Sequence, residues 1–275
     1  MYLSIIIPAY DEEHKISGDI AAADQFQASI DNECEILIVD DGSSDTTATI
    51  AAESAEKTSC NARVISIPHG GKGMAVREGI VQSSGRVVMF ADSGLCVDYN
   101  EAITAIEMIE KGECLIANGT RYSPESVIVR KKGFFRQFAS ALFRTMLPKA
   151  VGLNGRYTDT QCGFKVYDGT TARSLYQQCK CAGYFFDLEV ILRAELAGFK
   201  IREFPVKWTS DEDSRLSLLR SLFNVYSAVR QIRKAVKPDR TPHDSEEVAI
   251  NQVESQSGDQ KQYDRENEGS HTPEQ

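Results

Sequence analysis

Along the first half of the chain, short apolar runs alternate with longer stretches of helical periodicity. Leu3 to Ile7 is a β-branched run closed by Pro8, and Glu35 to Val39 is a second, closed by Asp40-Asp41-Gly42. Arg63 to Ile67 is a third, and Arg86 to Ala91 a fourth, closed by Asp92. Between them Glu13–Ser29, Thr46–Lys57 and Gly73–Ser83 read as helices. Continuous apolar runs separated by helices mark strands covered on both faces. The pattern therefore predicts an α/β fold: a Rossmann-like, mostly parallel sheet with helices on both faces. Ligands of such sheets bind beyond the carboxyl ends of the strands. Here those ends read Pro8-Ala9-Tyr10-Asp11-Glu12, Asp40-Asp41-Gly42-Ser43, His69-Gly70-Gly71-Lys72-Gly73 and Asp92-Ser93-Gly94.

The second half is more mixed. Tyr99 to Lys111 predicts a helix, Cys114 to Ala117 a strand, and Asn118 to Glu125 a loop. A helical pattern covers about Gly133 to Leu147, then a Gly-rich link leads to the Asp159–Tyr167 segment and a helix from Asp187 to Ala197. Lys200 to Trp208 alternates like a strand, and Leu216 to Val236 is again helical. Beyond Lys237 the apolar content collapses, which predicts a disordered tail over 238–275 behind a domain of 1–237.

Charge sharpens that boundary. The 275 residues carry a formal −9, but the stretch Pro238–Gln275 holds ten carboxylates against Arg240, Lys261 and Arg265, a balance of −7 that leaves the body at −2. The acidity belongs to the tail and implies little about the body's partners. Hydrophobic residues at 41% and charged residues at 26% are ordinary for a globular chain and exclude collagen-like or wholly disordered readings. No run approaches 18 apolar residues, and Leu3–Ile7 begins without a basic flank, so neither a membrane span nor a signal peptide is expected. Seven cysteines, an odd number without zinc-like spacing, point to reduced thiols and a cytoplasmic setting.

Several motifs carry candidate chemistry, each beside a plainer alternative. The acids of Val39–Asp45 could accept hydrogen bonds from a base or ribose, or Ser44 or Asp45 could simply cap the next helix. Gly70-Gly71-Lys72-Gly73 before a helix suits an anion cradle, or a glycine turn. It lacks the Walker spacing. Asp92 could hold a divalent cation that bridges a diphosphate, or cap a helix. Two acid-free segments are cationic and amphipathic. Ser126–Thr158 carries Arg130, Lys131, Lys132, Arg136, Arg144, Lys149 and Arg156 among phenylalanines and leucines, and Ser214–Lys237 carries six cations. They suit a membrane surface, or core-packed helices with a solvated basic face.

Taken together these residues resemble the family 2 inverting glycosyltransferases of GT-A fold, in the polyprenyl-phosphate (dolichyl-phosphate) branch. The resemblance runs from Ser4–Glu13 through Val39–Asp45, Gly71–Gly79, Gly119–Tyr122, Asp159–Lys165 and Phe185–Glu189 to Phe204–Trp208. It implies a nucleotide-binding half at about 1–115, an acceptor half at about 116–237, and amphipathic C-terminal helices. By position, Pro8, Tyr10, Glu12, Val39 and Asp41, with Asp40 adjacent, match nucleotide contacts. Asp92 matches the first acid of the metal-binding Asp-x-Asp. Arg121 matches an arginine near donor sugar and acceptor phosphate, Arg215 a basic residue that meets phosphate, and Lys72 and Gln161 phosphate or sugar contacts. Here the motif reads Asp92-Ser93-Gly94, so the second acid is glycine and the next ligand position is Cys96, a poor match for a hard cation. Either Asp92 holds Mg²⁺ or Mn²⁺ with the diphosphate, or Asp98 swings in, or basic residues replace the metal.

The implied reaction moves a hexose from a nucleotide sugar, UDP-glucose or else GDP-mannose, to a polyprenyl phosphate with inversion. An acceptor phosphate is already anionic and needs no strong base; a hydroxyl acceptor would need one, with Asp187 or Glu189 as candidates. Without a membrane span, attachment would be peripheral on the cytosolic face of a membrane, through segments 129–149 and 215–237 or a membrane-protein partner. No nucleic acid is expected. A hydroxyl-acceptor transferase and a non-catalytic nucleotide-sugar binder are the alternatives.

Overall fold

β1 (Leu3–Ala9), β2 (Cys34–Asp40) and β3 (Asn61–Ser66) form one flank of a seven-stranded sheet, and β4 (Val87–Ala91) pairs with the other side of β1. All four run parallel, with Leu3 opposite both Cys34 and Val87. This is a computed structural model, and it describes residues 1–30, 32–129, 144–154, 157–209 and 218–236, the last segment by backbone alone before residue 227. The described residues form one compact unit ending at Val236. The tail read at 238–275 and Arg215 lie outside the described residues.

The crossovers are α1 (Ile16–Ala28), α2 (Thr47–Ala55) and α3 (Lys72–Val81); α4 (Ala102–Glu110) follows β4 through the short turn Tyr99–Glu101. Strand side chains alternate between two cores. Leu3, Ile5, Ile7, Ile36 and Ile38 pack towards α1, α2 and α4, while Ile6, Leu37 and Val39 pack towards α3. Both faces are covered, which is why these strands read as unbroken apolar runs.

The sheet continues as β4-β7-β5-β8, with β5 (Ile116–Thr120), β7 (Phe164–Asp168) and β8 (Ile201–Pro205). β7 runs antiparallel to both neighbours, so the sheet is mixed at this point. β5 extends to Thr120, into the segment read as loop, because Asn118, Gly119 and Thr120 pair with β8 despite their polarity. β6 (Val127–Ile128) and β9 (Lys207–Trp208) make a separate two-stranded pair. On the α3 face lie α5 (Gly169–Gln178), α6 (Phe186–Leu196) and the end of α7 (Leu218–Ala235). α5 escaped the sequence reading because its Gly-Thr-Thr opening is poor helix sequence. Asp168 starts it, accepting from the Thr171 amide at 2.8 Å.

The spatial order reverses between β1 and β4, since the chain steps from β1 outward to β3 and returns on the opposite side. That switch point opens a crevice beyond the strands' carboxyl ends. The N-terminal end of antiparallel β7 and the C-terminal end of β5 reach the same edge.

Candidate active site

Loops following β1, β2, β3 and β4 supply the first wall of the crevice. Tyr10, just past β1, stacks on His69 at 4.3 Å between ring centroids and keeps an exposed face. Asp11 beside it holds a left-handed backbone (φ 49°), fastened by its carboxylate to the Ser44 amide at 2.7 Å. Glu12 pairs with Lys15 at 3.5 Å, and its amide donates to Thr47. Pro8 and Val39 are buried within the sheet; the Val39 side chain packs on α3 and presents nothing to the crevice.

Asp40 and Asp41 are both buried, and Asp40 accepts from the Ser43 amide at 3.3 Å. The helix cap is Thr46 rather than Ser44 or Asp45; Asp45, one residue earlier, accepts from the Thr47 amide at 2.9 Å and turns the chain into α2. The Asp41 carboxylate accepts from the Gly70 and Gly71 amides at 2.7 and 2.9 Å, and His69 Nδ1 stands 3.0 Å away. The Gly73 amide donates to the Ala182 carbonyl at 2.7 Å. The anion in the glycine cradle is therefore Asp41 itself, and the amides of Gly70, Gly71 and Gly73 are already partnered. Gly71 has φ 99°, and a Cβ there would stand 2.8 Å from the Ala182 carbonyl oxygen, so glycine is what lets this turn close.

What the loop projects into the crevice is Lys72. Its ammonium lies 2.7 and 2.8 Å from the two oxygens of Asp92, over the ring of Phe186. Burial pushes the Lys72 pKa down, but Asp92 and then Asp187 outweigh it and hold it above the ordinary lysine value. Asp187 at the start of α6 pairs in turn with Lys165 of β7 at 2.7 Å, and both are almost fully buried. Burial raises the Asp187 carboxyl against the pull of Lys165 and Lys72. Lys165 also donates to the Cys162 and Thr160 carbonyls. Two ammoniums and two carboxylates thus form a charge-balanced cluster. One oxygen of each acid meets its lysine at ion-pair distance but outside hydrogen-bond geometry.

A second cluster sits across β7. Arg121 makes a two-pronged contact with Asp159, Nε to Oδ2 at 2.7 Å and Nη2 to Oδ1 at 2.9 Å, flanked by the rings of Tyr122 and Trp208. Burial alone would lower the guanidinium pKa; Asp159 outweighs it and drives it upward. Glu203 of β8 accepts from the Thr158 and Asp159 amides, fixing the loop that carries Asp159. Gln161 is half-buried, its amide on Asp159 at 3.2 Å. Arg121 and Gln161 are candidates from sequence, while Asp159, Lys165 and Glu203 are not. The Asp159–Lys165 motif carries the first two of these without pairing them, and nothing in the sequence marks Glu203, whose role appears only where β8 meets the Thr158–Asp159 loop. Glu189 is fully buried and accepts from Lys180, Cys181 and Arg193, which makes it an anchor of α6.

The residues around Asp92 do not assemble a divalent-cation site. Gly94 offers no carboxylate, and its amide, with those of Leu95 and the Ser93 hydroxyl, turns to the buried Asp19 of α1. Asp98 is exposed and caps the Tyr99 turn through Asn100, and Cys96 holds Thr209 through its carbonyl. Among the described residues no three His, Cys, Asp or Glu side chains converge as metal ligands. For a dication set about 4 Å from both, the repulsion of the Lys72 ammonium, about 8 kcal/mol at an effective dielectric of about 20, cancels the attraction of Asp92, so the pair offers it no net charge.

A doubly covered sheet with a ligand crevice at its switch point is the architecture of a nucleotide-binding α/β protein, and the match to solved glycosyltransferases makes it a GT-A fold. The glycosyl transferase family 2 model matches residues 4–167, and the chain belongs to that family and is a glycosyltransferase. It is 30% identical over 248 residues to a Dictyostelium discoideum dolichyl-phosphate beta-glucosyltransferase, covering 85% of this chain and 74% of the relative. The Drosophila melanogaster enzyme of the same name is 32% identical over 227 residues, covering 78% and 69%. Among solved structures, glucosyl-3-phosphoglycerate synthase from Mycobacterium tuberculosis with Mn²⁺ and UDP-glucose superposes with a TM-score of 0.62 at 18% identity, covering 86% and 80% of the two chains. That likeness is one of fold.

Proposed function

We propose that this chain transfers glucose from UDP-glucose to dolichyl phosphate or a related polyprenyl phosphate, with inversion. The observation that carries the reading is the match, over most of both chains, to relatives named dolichyl-phosphate beta-glucosyltransferase. The site's chemistry supports it. Asp187 is tied to Lys165 and Glu189 is an anchor, so neither is placed to take a proton from a hydroxyl acceptor. A phosphate monoester needs no such base near neutral pH.

In the proposed reaction an acceptor phosphate oxygen forms a bond to the anomeric carbon as the carbon–oxygen bond to the nucleoside diphosphate breaks. The electron pair leaves on the diphosphate, and no proton moves. Tyr10 offers a stacking face to the base, Lys72 meets charge on the departing diphosphate, and Arg121 meets the acceptor phosphate, a role the resemblance also gives to Arg215, outside the described residues. The test is mass spectrometry of a short polyprenyl phosphate incubated with the protein and mixed nucleotide sugars. A lipid heavier by one hexose, from UDP-glucose alone, is expected; donor left intact beside unmodified lipid would sink the reading.

The reaction is placed at the cytosolic face of a membrane, with the protein held peripherally. Val127, Val129 and Met146 are exposed at the two ends of the 129–149 region, whose residues 130–143, including most of the helix read at 133–147, lie outside the described residues; the cationic, apolar sequence of the region supports surface contact. Segment 215–237 contributes differently. Ile232 and Val236 are buried in the core, so the last turns of α7 offer cations rather than an apolar stripe. No helix among the described residues is long and apolar enough to cross a membrane.

A further inference from the structure

We propose that Lys72, held by Asp92, is the resident cation of this site, and that nucleotide binding by this chain needs no divalent metal. The inference rests on the donor reading above and concerns how that donor's diphosphate is met.

Three features fix the arrangement. The Asp92 carboxylate is seated on Gly163, where any Cβ would meet the carboxylate and displace it, so glycine at that wall is what lets Asp92 take this position. The seat leaves the carboxylate facing α3, and Lys72, the first residue of α3, meets both of its oxygens. The position that would supply a second acid is Gly94, at φ 95°, with its amide on Asp19 at 2.9 Å. Asp19 is fully buried and gathers three donors from residues 93–95, which directs the polar groups of this loop towards α1 and away from the crevice.

The remaining acid of the cluster, Asp187, is taken by Lys165. A cation that bridges a carboxylate and a diphosphate must be shared by both. An ammonium has three donors and can do this in the way a metal does, with one positive charge instead of two. The Lys72 side chain is 19% exposed and that of Asp92 35%, so the pair borders solvent rather than lying sealed in the core.

Calorimetric titration of the whole chain with UDP tests this, in EDTA and in Mn²⁺. Equal affinity in the two conditions is expected, and tightening of tenfold or more by Mn²⁺ would overturn the inference. Lys72→Met should weaken metal-free UDP binding by about 10- to 100-fold, while Lys72→Arg keeps most of it. Because Lys72→Ala frees Asp92, Mn²⁺ should partly restore UDP binding in that variant. UDP affinity in Lys72→Met equal to wild type would also overturn the inference. Hexose transfer to polyprenyl phosphate, run in parallel, separates the two claims. Transfer that stops in EDTA leaves the proposed reaction standing and removes the resident cation. Metal-free, Lys72-dependent UDP binding without transfer does the reverse.

Discussion

Arg121 and Asp159 show what a single pair does here. Asp159 is 2% exposed and accepts from the Arg121 guanidinium, the Arg121 amide and the Gln161 amide. Asp159→Ala would strand a mostly buried guanidinium, and a loss of about 3–5 kcal/mol in stability is expected from urea unfolding. The double variant Arg121→Met/Asp159→Leu should lose less, because no unpaired charge remains. Asp19 supplies a pH dependence. Burial raises its carboxyl above the ordinary aspartate value, although Ser93, Gly94 and Leu95 pull it down. The folded chain therefore binds this proton more tightly than the unfolded chain does. The resulting stabilisation is complete below the unfolded pKa of about 3.9 and is lost as pH rises through the higher folded value. Relative to Asp19→Asn, wild type should thus be favoured more at about pH 4 than at about pH 7 in paired urea melts.

At the scale of elements, the approach of α3 to the sheet decides where Lys72 sits. A Cβ on Gly79 would lie 2.4 Å from Ile6 Cγ2 and 2.9 Å from Val39 Cγ2. Gly79→Ala gains about 1 kcal/mol in helix propensity but overpacks the helix–sheet contact, which costs about 1–3 kcal/mol. The second effect should win, lowering the urea midpoint. Gly18 in α1 meets nothing within 4 Å, so Gly18→Ala should stabilise by about 0.5–1 kcal/mol. The four parallel strands and their helices were legible because apolar runs and helical spacing are local signals. The direction of β7 was not, since Phe164–Asp168 is equally apolar read either way and only its neighbours β4 and β5 orient it. Nor was the strand character of Asn118–Thr120, which depends on pairing with β8.

At the scale of the whole molecule, the cationic segments and the acidic tail divide the charge of the chain. Flotation with vesicles should recover the protein with anionic lipid at low salt and lose it as salt rises, with little recovery on neutral lipid. No recovery on anionic vesicles at low salt would count against peripheral attachment. Of the candidate site, the sequence determined which residues follow the ends of the first strands: Tyr10, Asp41 and Asp92 fall there because an apolar run must stop where its cover stops, and Lys72 opens the helix after the third. It also determined that Gly94 cannot ligate. Tertiary structure alone decided which charges meet. Lys72 and Asp92 are twenty residues apart, and Lys165 and Asp187 come from a strand and a helix on one face of the sheet. Partnership among buried charges is set by distances of about 3 Å between elements, and sequence spacing carries no information at that range.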